Sequence, residues 1–140
     1  MNKMLSAFAC AAALLSAPLM AKEVRLASDF TYPPFNYMDA SGKPVGFDIE
    51  IADALCSEAK LKCTWVSQGW DSLIPSLLAR KSDVIMASMR ITEERKKRIL
   101  FTDKYYQTPA RFVASDKSKI ELTPQGLKGA VIGVQSGTIH

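Results

Sequence analysis

Arg95 ends the run Asp83-Val-Ile-Met-Ala-Ser-Met-Arg-Ile-Thr-Glu-Glu-Arg95, in which an apolar strand-like stretch passes through a polar turn into a helix start. A guanidinium can hold a carboxylate by two parallel hydrogen bonds, and free backbone N–H groups of the turn can add to them. Such donors are available around Arg90, and again at Thr138, in turns that follow apolar runs. Asp29 is an anion at the end of another apolar run and could neutralise a cation, or it could simply close an Asx turn. Tyr32 and Trp70 could flank a flat or cationic group by stacking and cation–π attraction, or serve as ordinary core aromatics. Arg95 also has a plain alternative, a solvated side chain beside Glu93 and Glu94. Taken together the groups suggest a cradle for a free amino acid, which offers a carboxylate, an ammonium and a side chain.

The elements that must position these groups read as repeated strand, loop and helix, which is the pattern of parallel α/β units. Residues 24–28 form the first expected strand, and Tyr32-Pro33-Pro34-Phe35 a rigid loop at its end, because each proline lacks an N–H donor. Asp39-Ala-Ser-Gly42 is turn chemistry for a hairpin closed by residues 45–47. Asp48 is expected to cap a helix running to about Lys60, with Ile51, Ala52, Leu55 and Ala59 inward. Residues 62–66 make the second strand, and Trp70 opens a helix with Leu73, Ile74, Leu77 and Leu78 on its apolar face. Residues 84–87 make the third strand, after which Thr92 caps the short helix that carries Arg95. In open α/β sheets ligands bind beyond the carboxyl ends of the strands, where all three loops would gather. Past Phe101 the pattern changes to a crossing at residues 109–112, an extended stretch at 111–115, a brief helix at 124–128 and a strand at 130–134.

The chain has 140 residues and a formal net charge of +4. Its basic residues are scattered or follow Glu93 and Glu94, so no concentrated cationic face for nucleic acid is expected. Residues 1–21 combine a basic start, an apolar run and a small residue before Lys22, as a cleaved secretory signal peptide does. Export would place Cys56 and Cys63 in an oxidising compartment, where they should pair across the reversal between a helix end and a strand. A loop that short would be stabilised by about 2.5 kcal/mol, the alternative being two unpaired buried thiols. No metal site and no cofactor are expected.

The segments Asp29-Phe-Thr-Tyr-Pro-Pro-Phe35, Gly46-Phe-Asp-Ile49, Cys63-Thr-Trp-Val66, Asp71-Ser-Leu-Ile-Pro-Ser-Leu77, Ser88-Met-Arg-Ile-Thr92 with Arg95, and Phe101-Thr-Asp-Lys-Tyr-Tyr106 resemble the periplasmic polar amino-acid-binding proteins of ABC importers. Within that family the likeness is to the lysine/arginine/ornithine- and histidine-binding group. The resemblance implies an α/β, periplasmic-binding-protein-like two-lobe fold, with lobe one mostly present and lobe two truncated. Its expected divisions are a signal peptide at 1–21, lobe one at 22–108, a crossing at 109–112 and the start of lobe two at 113–140. It further implies that Tyr32 and Trp70 sandwich the ligand side chain, Asp29 meets a basic group, Arg95 clamps the carboxylate, and Ala87, Ser88, Arg90 and Thr138 add strand-end contacts. The implied partners are a basic amino acid (arginine, lysine, ornithine or histidine) and a membrane ABC permease, the implied state a periplasmic monomer that is not an enzyme. Two positions depart from the family pattern: Arg90 stands where a hydroxyl usually helps to hold the ammonium, and Ala87 lacks a hydroxyl. A single lobe is expected to hold arginine weakly or not at all. The alternatives are a dehydratase-like enzyme on the same fold, which would need a proton donor or base in the crevice, and a truncated fragment that binds nothing.

Overall fold

A computed structural model of the chain describes residues 23–138, so the expected signal peptide at 1–21 lies outside the described residues. Strand β1 (Glu23–Ser28) is the centre of a parallel sheet. On one side it pairs with β5 (Lys62–Ser67) from Glu23↔Lys62 to Ser28↔Ser67, and on the other with β6 (Val84–Ile85) through Leu26↔Val84 and Ala27↔Ile85. Between β1 and β5 the chain forms a small antiparallel sheet of β2 (Thr31–Tyr32), β3 (Asn36–Met38) and β4 (Pro44–Val45). The helices are α1 (Phe47–Glu58), α2 (Leu73–Leu78), which follows a 3₁₀ turn at Trp70–Ser72, and α3 (Glu93–Lys96).

Successive residues of a strand face opposite sides, and β1 uses both. Leu26 joins Ala52 of α1 and Met86 in one apolar cluster, backed by Val24, Ile51, Cys56, Cys63 and Trp65. Ala27 joins Leu73 of α2 and Ala87 in the other, backed by Trp70, Ile85 and Met89. A strand covered on both faces needs a near-continuous apolar sequence, which Val24, Leu26 and Ala27 supply. At the strands' amino ends Arg25 grips Asp83 with Nε at 2.9 Å and Nη2 at 3.1 Å, and Nη2 also donates to the Arg80 carbonyl at 2.7 Å. This closes the turn that leads into β6.

Several expectations change. Asp48 is not the cap of α1: the N-cap is Gly46, and Asp48 lies buried in the first turn. Gly46 has φ +118°, and a Cβ there would collide with the carbonyl oxygens of Phe35 and Pro34. That close approach lets the Phe47 and Asp48 N–H groups donate to the Pro34 and Phe35 carbonyls at 3.1 and 2.8 Å, so the hairpin turn caps the helix. The inward face of α1 is Ile49, Ala52 and the half-buried Cys56, while Leu55 is 62% exposed and Ala59 is exposed. Its rotation is fixed at one end by the buried Asp48 and at the other by the Cys56–Cys63 disulfide, whose Cα atoms are 6.2 Å apart. On α2 the buried residues are Leu73 and Ser76, whereas Leu78 faces out.

The third strand stops at Ile85, because Ser88 turns the chain with φ +48°. Residues 101–138 contain neither helix nor strand. The expected strand at 130–134 has no ladder partner among the described residues, and Val131 is fully exposed. At 124–128 there is a turn instead of a helix, held by Leu127 N–H to the Thr123 carbonyl at 2.9 Å and Gly126 N–H to Thr123 Oγ1 at 3.0 Å. Among the described residues no helix is long and apolar enough to cross a membrane.

Candidate functional site

The carboxyl ends of β1, β5 and β6 deliver Asp29, the Gln68–Trp70 turn and the Ser88–Arg95 loop to one edge of the sheet. The turn after β5 is tied to that edge by Gln68 N–H donating to the Ser28 carbonyl at 3.0 Å, with Ser76 Oγ donating to Gln68 Oε1 at 3.0 Å. Thr92 caps α3 as expected, its Oγ1 accepting from Arg95 N–H at 3.2 Å.

Arg95 lies over Trp70, with its guanidinium carbon 5.5 Å from the ring centroid. Nη1 donates to the Arg90 carbonyl at 2.8 Å and Nη2 to the Gly137 carbonyl at 3.1 Å. A guanidinium has five N–H groups, so donors remain for a carboxylate. Partial burial, and then the neighbouring charge of Arg90, hold the Arg95 pKa below its usual value. Arg95, Trp70, Asp71, Ile74, Met89 and Gly137 line a cleft of about 210 Å³. Gly137 fits there because a Cβ would collide with Asp71 Oδ1, and its φ of +70° also favours glycine.

Asp29 and Tyr32 lie beyond the end of β1 and do not line that cleft. Asp29 Oδ2 accepts from Thr31 Oγ1 at 2.7 Å, whereas Oδ1 is buried and has no hydrogen-bond partner among the described residues. A buried carboxylate oxygen left unsatisfied is costly, and a bound cation would relieve it. Tyr32 stacks on Phe35, centroids 5.1 Å apart, in an aromatic group that continues through Phe47 and Tyr106.

Ala87 is buried against Ala27 and Leu73, so its side chain belongs to the core. The Arg90 side chain reaches toward the crossing, Nη2 donating to the Thr108 carbonyl at 3.3 Å. Thr138 donates through both N–H and Oγ1 to the Gln135 carbonyl, at 3.3 and 2.6 Å, closing the turn that presents Gly137.

Sequence reasoning missed Asp48 and Tyr105. Asp48 is 0% exposed and accepts from Asn36 Nδ2 at 3.0 Å, from Ser88 Oγ at 2.8 and 3.1 Å, and from Tyr105 Oη at 2.9 Å. Burial first, and then the Asp48 charge, raise the Tyr105 phenol above its usual pKa. The available signal was position: Asp48 is four residues before Ala52 and so shares its inward face.

A parallel α/β layer whose strand ends gather an arginine, an aromatic and an unsatisfied carboxylate has the layout of a small-solute receptor. The chain belongs to the bacterial extracellular solute-binding proteins, family 3, which it matches over residues 24–138. It is 44% identical over 140 residues to the L-arginine-binding protein of Pseudomonas aeruginosa, covering 99% of this chain and 54% of that protein. Among solved structures it is similar to an ancestral arginine-binding protein bound to arginine, at TM-score 0.60 and 41% identity, with 62% of this chain and 38% of that chain covered. It is also similar to the arginine-bound form of domain 1 from TmArgBP, at TM-score 0.58 and 39% identity, with 60% of this chain and 67% of that chain covered. The chain spans about half the length of the curated relatives it matches.

Proposed function

We propose that this chain forms the first lobe of an extracytoplasmic receptor that binds a basic amino acid, arginine foremost, and delivers it to an ABC importer in the membrane. The observation that carries the reading is the buried, unpartnered Oδ1 of Asp29 at the sheet edge that also carries the Trp70–Arg95 pair. The first calls for a cation and the second for a carboxylate and a flat group, which together describe arginine better than a neutral amino acid. In this reading Asp29, Tyr32, Trp70, Ser88 and Arg95 contact the ligand through side chains, and Ala87, Arg90 and Thr138 through backbone groups.

The receptor works in the periplasm as a monomer and changes nothing in its ligand. A dehydratase-like enzyme would require Asp29 to act as a proton donor or base, whereas Asp29 as a counter-charge needs no further chemistry, and the relatives are binding proteins. Lobe one at 22–108 and a second lobe, of which 113–140 would be only the start, would close on the ligand about the crossing at 109–112, and closure is the signal read by the permease. An arginine-bound domain 1 among the relatives supports retention of arginine by a single lobe, against the expectation from sequence. Calorimetric titration of the chain with arginine and with glutamine tests the reading: arginine should bind the more tightly, and Asp29→Asn should remove most of that preference. Equal affinities for both ligands in the unsubstituted chain would refute it.

A further inference from the structure

The Asp48 carboxyl group is 0% exposed, and among the described residues no Lys or Arg forms an ion pair with it. Its three partners, Asn36, Ser88 and Tyr105, are neutral and come from β3, the loop after β6 and the stretch after α3. A hydroxyl has one proton and two lone pairs. Ser88 and Tyr105 both donate to Asp48, and the Tyr105 oxygen also meets the Ser88 hydroxyl and backbone N–H, so what each oxygen has left for a further partner is lone-pair, acceptor capacity. The contact also secures the backbone, since Ser88 has φ +48°, a region that L side chains rarely adopt.

We propose that Asp48 is a positioning residue that turns Ser88 and Tyr105 into acceptors for a cationic N–H group of the ligand. The ligand cation would sit one hydroxyl away from the carboxylate, roughly 5 Å from it by the sum of two hydrogen bonds. It feels the buried charge without touching it, and a chain of polarised hydrogen bonds carries the effect. Asp48 thereby supplies the counter-charge for one of the two cations of a basic amino acid, and Asp29 is left for the other. Asparagine at position 48 would offer an N–H₂ to one of the hydroxyls, reverse it, and point its proton at the ligand.

The inference rests on the reading of the chain as a receptor for basic amino acids, and three ligands separate the two claims. Arginine is titrated against citrulline, which lacks the side-chain cation, and 5-guanidinopentanoate, which lacks the α-ammonium. Arginine binding by the unsubstituted chain tests the receptor reading alone, and its absence overturns both. Asp48→Asn should weaken arginine on the order of tenfold or more, and should weaken whichever analogue lacks the relevant cation far less. A spared 5-guanidinopentanoate assigns the relay to the α-ammonium, and a spared citrulline assigns it to the guanidinium. Equal losses for all three ligands would mean that Asp48 only maintains structure, and would overturn the proposal, as would no loss. If Asp48→Asn fails to fold, Ser88→Ala and Tyr105→Phe decide in its place: at least one must discriminate among the three ligands in the same direction.

Discussion

Arg95 already donates to the carbonyls of Arg90 and Gly137, which would hold it rigid for the clamp proposed above. Its loss should therefore weaken arginine, citrulline and glutamine alike. Arg95→Ala should cost about 2–5 kcal/mol of binding if the carboxylate is left buried and unpaired. Arg95→Lys should recover only part of this, since an ammonium has no planar fork. Calorimetry would show it, and an undiminished arginine affinity in Arg95→Ala would remove the clamp from the mechanism. Tyr105 gives a pH signature. Its phenol is raised in the folded chain by burial and by Asp48, so as pH climbs past about 10 the unfolded chain loses that proton first. Stability contributed by the protonated phenol is complete below the unfolded pKa and is lost as pH rises toward the folded one. The urea midpoint of the unsubstituted chain should fall more steeply above about pH 10 than that of Tyr105→Phe, and parallel slopes would contradict the assignment. Arg95 and its Thr92 cap were legible in sequence because both belong to one local pattern. Asp48 was not, since its partners lie 12, 40 and 57 residues away and no window of sequence joins them.

Strands and turns with a strong local signal appeared where their sequences suggested, whereas which segments pair and which helix face turns inward depended on distant partners. The strands at Glu23–Ser28 and Lys62–Ser67 and the Asp39–Gly42 turn follow from apolar runs and turn residues. Residues 130–134 have an equally apolar run, but a strand exists only where another backbone pairs with it. The inward face of α1 was misjudged by a rotation, because Ile49 and Leu55 are both strongly apolar and the choice between them is set by Asp48 and the disulfide. Gly46 is the junction on which that helix turns. Gly46→Ala should destabilise the chain by about 2 kcal/mol or more, from strain at positive φ and collision with the Phe35 carbonyl. Chemical denaturation would measure it, and an unchanged midpoint would show that the junction can relax. Replacing Cys56 and Cys63 together with serine should remove about 2–3 kcal/mol, seen as a lower melting temperature, whereas reductant should leave the double variant's melting unchanged.

Across the whole molecule, order should follow the sheet. Backbone hydrogen bonds after Phe101 join residues three or four apart, as in Ser118 to Ser115 and Ala130 to Leu127, whereas those of β1 span tens of residues. Amides of β1 and β5 should exchange slowest and those of residues 110–135 fast, because local turns open without disturbing the core. Strong protection at 130–134 would reveal a pairing that this structure does not contain. Arginine should slow exchange at residues 86–95 as well, if the receptor reading holds. The order of the strands carries one more implication. Among the described strands β1 comes first in sequence but is central in the sheet, and both of its neighbours arrive later, at Lys62 and at Val84. A chain still passing through a narrow channel, with only its first part delivered, would own the small antiparallel sheet and a helix but no parallel sheet. Once residue 85 emerges both edges of β1 can be filled together, so assembly becomes a late event set by the search for distant partners.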